Sequence, residues 1–297
     1  MKTVMVIGCS GLIGHALVKK LLDEGYDVVG YSRNIPDIKN QHFFPYIGEL
    51  YEISRMVQAM LDHQVEVVVH NAALSHPKMA ADDPYKMFQI NLAGVINSIE
   101  AARITGVKRY LFASAAGVYG NNISDPITED MPLQSECAYD SSKIAAEEVV
   151  KNYGIECGIL RIGFVYGPGR VRECPIAMLL KAVHENTAVR WDSGADQYLD
   201  YVYIDDVVRG MTQAVGAEKL RYKVYNMGGG MFTPYRNVVK IVQELFPQAR
   251  MEIGSGGLGY DNIGRMDNSR AWEDFGYKPQ ITLEEGIRRY DEWLFGK

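Results

Sequence analysis

Metal-binding patterns are missing from this sequence. Its 297 residues contain only four cysteines and six histidines. The cysteines, Cys9, Cys137, Cys157 and Cys174, lack the close ligand spacing of a structural zinc site, so we expect no metal centre. Basic residues are not in excess either, because 31 lysines and arginines face 37 acidic residues, for a formal net charge of −6. This balance gives little support to nucleic-acid binding.

Long apolar runs are also missing. No stretch approaches the roughly 20 apolar residues that a membrane-spanning helix needs. Met1, Lys2 and Thr3 lead directly into the first predicted strand, which leaves no room for a signal peptide. With 47% hydrophobic residues, the chain can still build a sizeable core. We therefore expect a globular cytoplasmic protein without membrane contact.

Alternating strand and helix patterns predict the fold class. Short β-branched runs lie at residues 3–7, 27–31, 65–70, 109–113 and 155–162. Stretches with apolar residues at helical spacing separate them. This order is typical of an α/β fold with a doubly wound, Rossmann-type parallel sheet.

The alternation becomes irregular after residue 167 and resumes near residue 199. This change predicts two domains. The dinucleotide-binding domain is expected at residues 1–167 plus about 199–229. A smaller, discontinuous α+β substrate domain is expected at about 168–198 plus 230–297.

A glycine-rich loop joins the first predicted strand to the first predicted helix. Its sequence, GCSGLIG, occupies residues 8–14. Such a junction presents unpaired backbone N–H groups and the positive end of a helix dipole, where a pyrophosphate binds. Glycines allow the turn, the close approach of the backbone and the packing of helix on strand. The predicted dinucleotide-binding residues here are Gly8, Ser10, Gly11, Leu12, Ile13 and Gly14.

The end of the second predicted strand bears on the choice of dinucleotide. An acidic residue there would accept hydrogen bonds from the adenosine ribose. In this sequence the position is Ser32, followed by Arg33. Arginine attracts the additional phosphate of NADP, whereas a carboxylate would repel it. We therefore favour NADP, with NAD as the alternative if Arg33 is only a solvated surface charge.

Tyr139 and Lys143 form a candidate pair for proton transfer. They are four residues apart on a predicted helix, so they lie on one face, one turn from each other. A free tyrosine, with a pKa of about 10, is a poor base at neutral pH. A nearby ammonium and an oxidised nicotinamide would favour the phenolate. Together with the glycine loop, this pair predicts an enzyme that transfers hydride.

Further segments accompany these motifs along nearly the whole chain. They are Asn71-Ala72-Ala73, NLAG with Asn91, ASAAGVYG at residues 113–120, LRIGFVYGPG ending at Gly169, and Ile204-Asp205-Asp206-Val207. With the glycine loop and the Tyr139-x-x-x-Lys143 pair, the set resembles the extended short-chain dehydrogenase/reductase family. That family includes UDP-galactose 4-epimerase and related sugar epimerases, dehydratases and reductases.

The resemblance implies roles for single residues. Tyr139 is expected to be the catalytic acid/base, and Lys143 to hold the nicotinamide ribose as well. Asn91 is expected to support the strand or a water relay beside the site. The expected cofactor contacts further include Tyr139 itself, Asn91, the strand-end residues Asn71, Ala72 and Ala73, and Glu49 with Leu50 around the adenine. Members commonly pair through two helices, so we expect a homodimer.

Two departures from the family pattern concern catalysis. The serine or threonine that stands four residues before the VYG tyrosine is Ala115 here. Neighbouring Ser114 points to the opposite face of a regular strand, unless the strand end is bulged. Ser75 is the favoured replacement and Ser114 the other candidate, although Ser75 could equally serve only to turn the chain. The acidic pair of the dehydratases is replaced by Ala116 and Gly117, which disfavours dehydration.

A third departure concerns the substrate. In the family, an arginine commonly clamps the diphosphate of sugar nucleotides, but this sequence has Leu199 at that position. The asparagine of the family's RxFN pattern is likewise replaced by Phe164. Leucine cannot replace the bidentate fork of arginine. Surface arginines could supply the charge from elsewhere, and the candidates are Arg170, Arg172 and Arg265. We predict substrate contacts at Ser75, Phe164 and Arg172, with a sugar nucleotide bound differently, a free sugar, a sugar acid or another polyol as the substrate.

The sequence thus predicts an NAD(P)-dependent oxidoreductase or epimerase that acts on a sugar-like substrate. The alternative is a cofactor-binding sensor or scaffold protein with a partly decayed active site. Ala115 suggests that alternative, whereas the retention of both Tyr139 and Lys143 argues against it.

Overall fold

The computed structural model describes residues 2–75, 83–170 and 174–296. The strands are β1 (Thr3–Ile7), β2 (Asp27–Ser32), β3 (Phe43–Ile47), β4 (Val67–His70), β5 (Arg109–Ala115), β6 (Glu156–Ile162), β7 (Phe164–Tyr166), β8 (Val189–Trp191), β9 (Tyr201–Tyr203), β10 (Val224–Met227) and β11 (Met251–Ile253). The helices are α1 (Leu12–Asp23), α2 (Ile53–Asp62), α3 (Pro84–Phe88), α4 (Gly94–Thr105), α5 (Ala138–Asn152), α6 (Pro175–His184), α7 (Ile204–Gly216), α8 (Tyr235–Leu245), α9 (Ser269–Phe275) and α10 (Leu283–Phe295). A π-helical turn, Gln89–Ala93, joins α3 to α4, and a 3-10 turn, Ala116–Tyr119, follows β5.

One parallel sheet of seven strands carries the fold. Its strand order is β10-β6-β5-β4-β1-β2-β3, and every pairing is parallel. The interior strand β1 is buried along its whole length, as expected for a strand covered on both faces. Helices α1 and α7 pack on one face, and α2, α4 and α5 pack on the other. The predicted doubly wound α/β fold is confirmed.

The strand order reverses next to β1, and this reversal positions the site. β1 lies between β4 and β2, so the connections leaving β1 and β4 diverge to opposite sides and open a crevice at the carboxyl ends of the strands. The two strand ends lie close together there. A Cβ on Gly8, after β1, would come within 2.7 Å of the backbone nitrogen of Ala72, after β4.

The carboxyl-terminal part builds two small parallel sheets, β7 with β9 and β8 with β11. Strand β10 rejoins the main sheet beside β6, at the position where the sequence predicts a return to the first domain. Residues of α8 and α10 belong to the same apolar cluster as α1 and α7. The division of the chain into two domains, with the boundaries given above, stays a prediction.

A buried row of polar side chains fastens α5 to the sheet. Ser114, Arg161 and Asn226 lie in register on the neighbouring strands β5, β6 and β10. The Arg161 guanidinium donates to the Glu147 carboxylate of α5 at 2.7 Å, and neither side chain is more than 2% exposed. Arg161 also donates to the Tyr119 hydroxyl at 2.9 Å, which in turn donates to Asn226 at 2.7 Å. Each buried charge therefore has a partner, as burial requires.

Removing one member of this pair should destabilise the protein strongly. In Glu147→Gln the Arg161 charge stays buried without its counter-charge, which costs about 3–5 kcal/mol of unfolding free energy. Urea unfolding measures this loss. The matched control is Glu284→Gln, which removes an exposed partner of Arg288 on α10 and should cost less than about 0.5 kcal/mol. Equal losses in the two variants would contradict the anchoring role of the buried pair.

Candidate active site

The glycine loop forms the floor of a groove at the carboxyl edge of the sheet. Gly8 has a φ of +87°, a conformation that side chains other than glycine rarely adopt. A Cβ on Gly14 would lie 2.1 Å from the Gly8 carbonyl oxygen, so only glycine lets the helix pack so tightly. Helix α1 begins directly after Gly11. Its first backbone N–H groups and dipole therefore point into the groove, as binding of a pyrophosphate requires.

Strand β2 and the loop after β3 form the far wall of the groove. The hydroxyls of Ser10 and Ser32 are 2.8 Å apart, so the glycine loop and the end of β2 are joined at this wall. Arg33 is exposed beside them. The Tyr31 hydroxyl donates to the Glu49 carbonyl at 2.9 Å, which fixes the segment predicted to bracket the adenine.

Most of the predicted cofactor residues line this one groove. They are Gly8, Ser10, Gly11, Ser32, Arg33, Glu49, Leu50, Asn71, Ala72 and Ala73. Leu12, Ile13 and Gly14 follow in the first turn of α1. The lining residues that sequence reasoning missed are Ile7, Tyr31, Gly48, Leu74, Lys86 and Ile90. A lone lysine on a short helix, as Lys86 is, gives no sequence signal of this position.

Asn91 lies behind the groove and is buried, with 1% of its surface exposed. Its side-chain oxygen accepts from the Leu74 backbone N–H at 2.8 Å, and its amide donates to the Leu74 carbonyl at 3.2 Å and to the Ser142 hydroxyl at 3.0 Å. Asn91 therefore supports the loop that follows β4, in line with the expectation that it supports the strand. Direct contact with the cofactor, as we predicted for Asn91, does not fit these contacts, because both polar atoms of the amide hold protein groups.

Tyr139 and Lys143 lie in the first turns of α5, the helix that Asn91 joins to the groove residue Leu74 through Ser142. The Lys143 ammonium donates to the Ala113 carbonyl at 2.8 Å and lies 4.8 Å from the centre of the Phe112 ring. It is 5.9 Å from the centre of the Tyr139 ring. The predicted pair is therefore brought together, with the ammonium anchored to the end of β5.

Burial dominates the acid–base properties of this pair. It lowers the pKa of Lys143 to about 8, against the attraction of Glu147. It raises the pKa of Tyr139 above its ordinary value, and the negative charge of Asp140 acts in the same direction. Tyr139 is thus a protonated phenol at neutral pH in the protein alone. The expected lowering by Lys143 does not outweigh burial there, so the phenolate needs further positive charge in the groove.

The contacts of Ser114 do not fit its predicted place among the catalytic residues. Its hydroxyl donates to the buried Glu147 carboxylate at 2.6 Å, and 5% of the residue is exposed. The strand end is not bulged, since β5 and β6 stay in register up to Ala115. Because side chains alternate regularly along β5, the side chain of Ser114 points towards the Arg161–Glu147 ion pair beneath α5. Ser75 is exposed at the end of the described segment 2–75, and its catalytic role stays a prediction.

Aromatic rings form a wall at Phe164, the position where the family pattern has an asparagine. The Phe164 ring packs edge-on against Tyr201 and Tyr260, each 5.6 Å away between ring centres. Leu199 is buried, with 3% of its surface exposed. The Arg170 guanidinium lies 5.0 Å from the centre of the Phe164 ring and donates to the Val165 carbonyl at 2.6 Å.

Two of the three candidate arginines are thus already engaged by the protein. Arg170 is held by its own loop, and Arg265 donates to the Asp125 carboxylate at 2.6 Å. Arg172 lies outside the described residues. Among the residues that the structure describes, no cluster of histidines, cysteines or acids could hold a metal ion, and no helix could cross a membrane.

The sequence matches the model of the NAD dependent epimerase/dehydratase family over residues 4–228. The chain belongs to this family. A UDP-glucose 4-epimerase of Mycolicibacterium smegmatis is 29% identical, over 99% of this chain and 98% of the relative. The solved structure of MoeE5 with UDP-glucuronic acid and NAD is 26% identical, with a TM-score of 0.89 and 98% coverage of both chains. A UDP-glucose 4-epimerase of Thermus thermophilus, solved with NAD, is 25% identical, with a TM-score of 0.86 and 99% coverage of both chains.

Family membership confirms the predicted reaction class. The chain is an enzyme of the NAD-dependent epimerase/dehydratase family, and hydride transfer on a sugar-like substrate is the chemistry that the sequence predicted. The groove fits the dinucleotide, because the glycine cradle at Gly8 and Gly14 leaves room that a Cβ would fill. The family description covers both epimerases and dehydratases, so it does not confirm the prediction that dehydration is disfavoured.

Replacing the Ser114 hydroxyl should affect stability and leave catalysis unchanged. Ser114→Ala removes a donor to the buried Glu147 carboxylate, at a cost of about 1–3 kcal/mol. The rate of cofactor reduction should stay within about twofold of the wild type, whereas loss of a proton-transfer partner would cost about 10²–10⁴. Urea unfolding and steady-state kinetics measure the two effects. A large loss of rate with unchanged stability would restore Ser114 to the catalytic set.

Proposed function

We propose that this protein is an NAD(P)-dependent 4-epimerase of a UDP-linked hexose or hexuronic acid, with Tyr139 as its acid/base. The observation that carries the proposal is the placement of Tyr139 and the anchored Lys143 on α5, the helix that Asn91 joins to the groove formed by the glycine loop. The relatives named above support the substrate class, since they are epimerases of UDP-glucose or are solved with UDP-glucuronic acid.

The groove residues would hold the dinucleotide along the carboxyl edge of the sheet. The N-terminus of α1 binds the pyrophosphate, and Glu49 with Leu50 encloses the adenine. When bound, the nicotinamide supplies reversible transfer of hydride to and from the substrate carbon. Its positive charge and that of Lys143 oppose the effect of burial on Tyr139.

Tyr139 then moves the proton of the reacting hydroxyl. As a phenolate it accepts this proton while the carbon loses hydride, which leaves a ketone. As a phenol it returns the proton when hydride is added to the other face, and the configuration is inverted. Ala116 and Gly117 provide no side-chain acid for the elimination of water, which supports epimerisation over dehydration.

Replacing Tyr139 by phenylalanine should abolish turnover and preserve cofactor binding. The ring still fills its site, but the hydroxyl that exchanges the proton is gone. Conversion of UDP-glucose and UDP-glucuronic acid should fall by at least about 10², while the dissociation constant of the cofactor, measured by calorimetry, changes little. If the variant keeps wild-type turnover, Tyr139 is not the acid/base.

We further propose a preference for NADP over NAD. The end of β2 supports it, because Ser32 and exposed Arg33 line the groove where the adenosine ribose would lie. Arginine binds a ribose phosphate through charge and paired hydrogen bonds. The structures of the two solved relatives named above are complexes with NAD, so cofactor choice within the family needs a direct measurement on this chain.

Arg33→Ala should separate the two cofactors. Loss of the guanidinium should weaken NADP binding by about tenfold or more, since a hydrogen bond to a charged group contributes roughly 1.5–3 kcal/mol. NAD binding should stay within about twofold. Arg55→Ala on α2 is a control that removes another exposed arginine. Tighter binding of NAD than NADP by the wild type would overturn the preference.

We propose a cytoplasmic homodimer that pairs through α4 and α5, and exposed Ile96 and Ile104 on α4 support this face. Ser75 remains our proposed substitute for the hydroxyl that Ala115 lacks.

A further inference from the structure

A buried carboxylate directly follows the proposed acid/base in the sequence. Asp140 follows Tyr139 in the first turn of α5, and only 2% of its surface is exposed. One of its oxygens accepts from the Cys137 thiol at 2.9 Å. The other faces Gly117, where an added Cβ would come within 2.5 Å of it. The carboxylate therefore fills the space that a side chain at position 117 would need.

A second carboxylate approaches the same glycine from the carboxyl-terminal part. An oxygen of Asp261 lies 4.0 Å from the Cβ position of Gly117. Asp140 and Asp261 thus flank one backbone position at the end of β5, two residues after Ala115. Close carboxylates with little solvent between them repel each other, and this repulsion favours binding of a proton.

The charges around Asp140 come from three parts of the chain. Tyr139 and Lys143 share its helix, Cys137 and Glu136 precede it, and Asp261 faces it from the carboxyl-terminal loop. Burial raises the pKa of Asp140 to about 6, with Asp261 and Glu136 adding to the effect and the Cys137 thiol opposing it. Burial also raises the pKa of the Cys137 thiol to about 11, so this neighbour is neutral near pH 7.

The position of Asp140 matters because Tyr139 must both accept a proton and return it. An epimerase needs the phenolate to take a proton and the phenol to return it. A negative charge beside Tyr139 raises the pKa of the phenol, so it opposes deprotonation and favours the return of the proton. Loss of that charge has the opposite effect.

We propose that Asp140 is a positioning residue whose carboxylate, held against Gly117, controls how readily Tyr139 gives up its proton. The inference rests on the proposed role of Tyr139 as acid/base. Because burial raises the pKa of Asp140 to about 6, its charge and its restraint on Tyr139 are present above that pH and are lost below it. The charge of Asp140 thereby sets how readily Tyr139 acts as the base in the oxidation step and as the acid in the reduction step.

Asp140→Asn tests the inference, because it keeps the shape of the side chain and removes its charge. The phenolate absorbance of protein saturated with oxidised cofactor is titrated with base. The same titration of each protein with Tyr139→Phe is subtracted, so that only Tyr139 contributes. The midpoint for Tyr139 should be about one pH unit lower in Asp140→Asn than in the wild type. Equal midpoints would overturn the proposal.

Two further variants separate charge from structure. Asp23→Asn removes a carboxylate at the exposed end of α1 and should leave the midpoint unchanged. Asp140→Ser can still interact with the start of α5 but carries no charge. It should lower the midpoint as Asp140→Asn does. If only one of the two Asp140 variants lowers it, charge is not the cause and the proposal fails.

Oxidation rates give a second readout. With UDP-glucose or UDP-glucuronic acid, the ratio of kcat/KM between Asp140→Asn and the wild type should be about 10 at pH values above 7 that lie below the Tyr139 midpoint of the variant, the kinetic equivalent of one pH unit. It should approach 1 below about pH 6, where wild-type Asp140 is protonated. A ratio that does not change with pH would contradict the proposal. If the wild type oxidises neither sugar, the proposed function fails, and the titration of Tyr139 still decides the role of Asp140.

Discussion

The ion pair between Arg161 and Glu147 is the interaction on which the site depends. It connects β6 to α5, the helix that carries Tyr139 and Lys143. Buried charges are tolerated only when every donor and acceptor is matched, and Ser114 completes the match at Glu147. The placement of Tyr139 and Lys143 is thus set from beneath α5, by residues that are buried in the protein.

The groove, in contrast, is formed by the conformation of the backbone and not by an ion pair between side chains. Side chains are excluded where β1 ends and α1 begins, and the loop after β4 closes against that turn. Asn91, at a π-helical turn, secures the same loop to α5 through Leu74 and Ser142. Such turns are frequent at functional sites. The cofactor groove and the catalytic helix are therefore joined through one buried amide.

The sequence predicts this fold where periodicity is strong and misses it where strands are short. Buried strands such as β1, and the glycine turn after it, carry clear local signals. Strand β3 was missed because Pro45 interrupts a run of five residues at the sheet edge. In the site, strand alternation already placed Ser114 away from the substrate. The approach of Asp140 to Gly117 joins residues 23 positions apart in the sequence, so no local pattern could predict it.

The aromatic wall at Phe164 has a thermodynamic consequence. Pairing between a guanidinium and a diphosphate weakens as salt is added, because the ions screen it. A ligand seated on Phe164 and Tyr260 would instead bury apolar surface, and burial of apolar surface lowers the heat capacity. Substrate affinity in this chain would then vary more with temperature than with ionic strength.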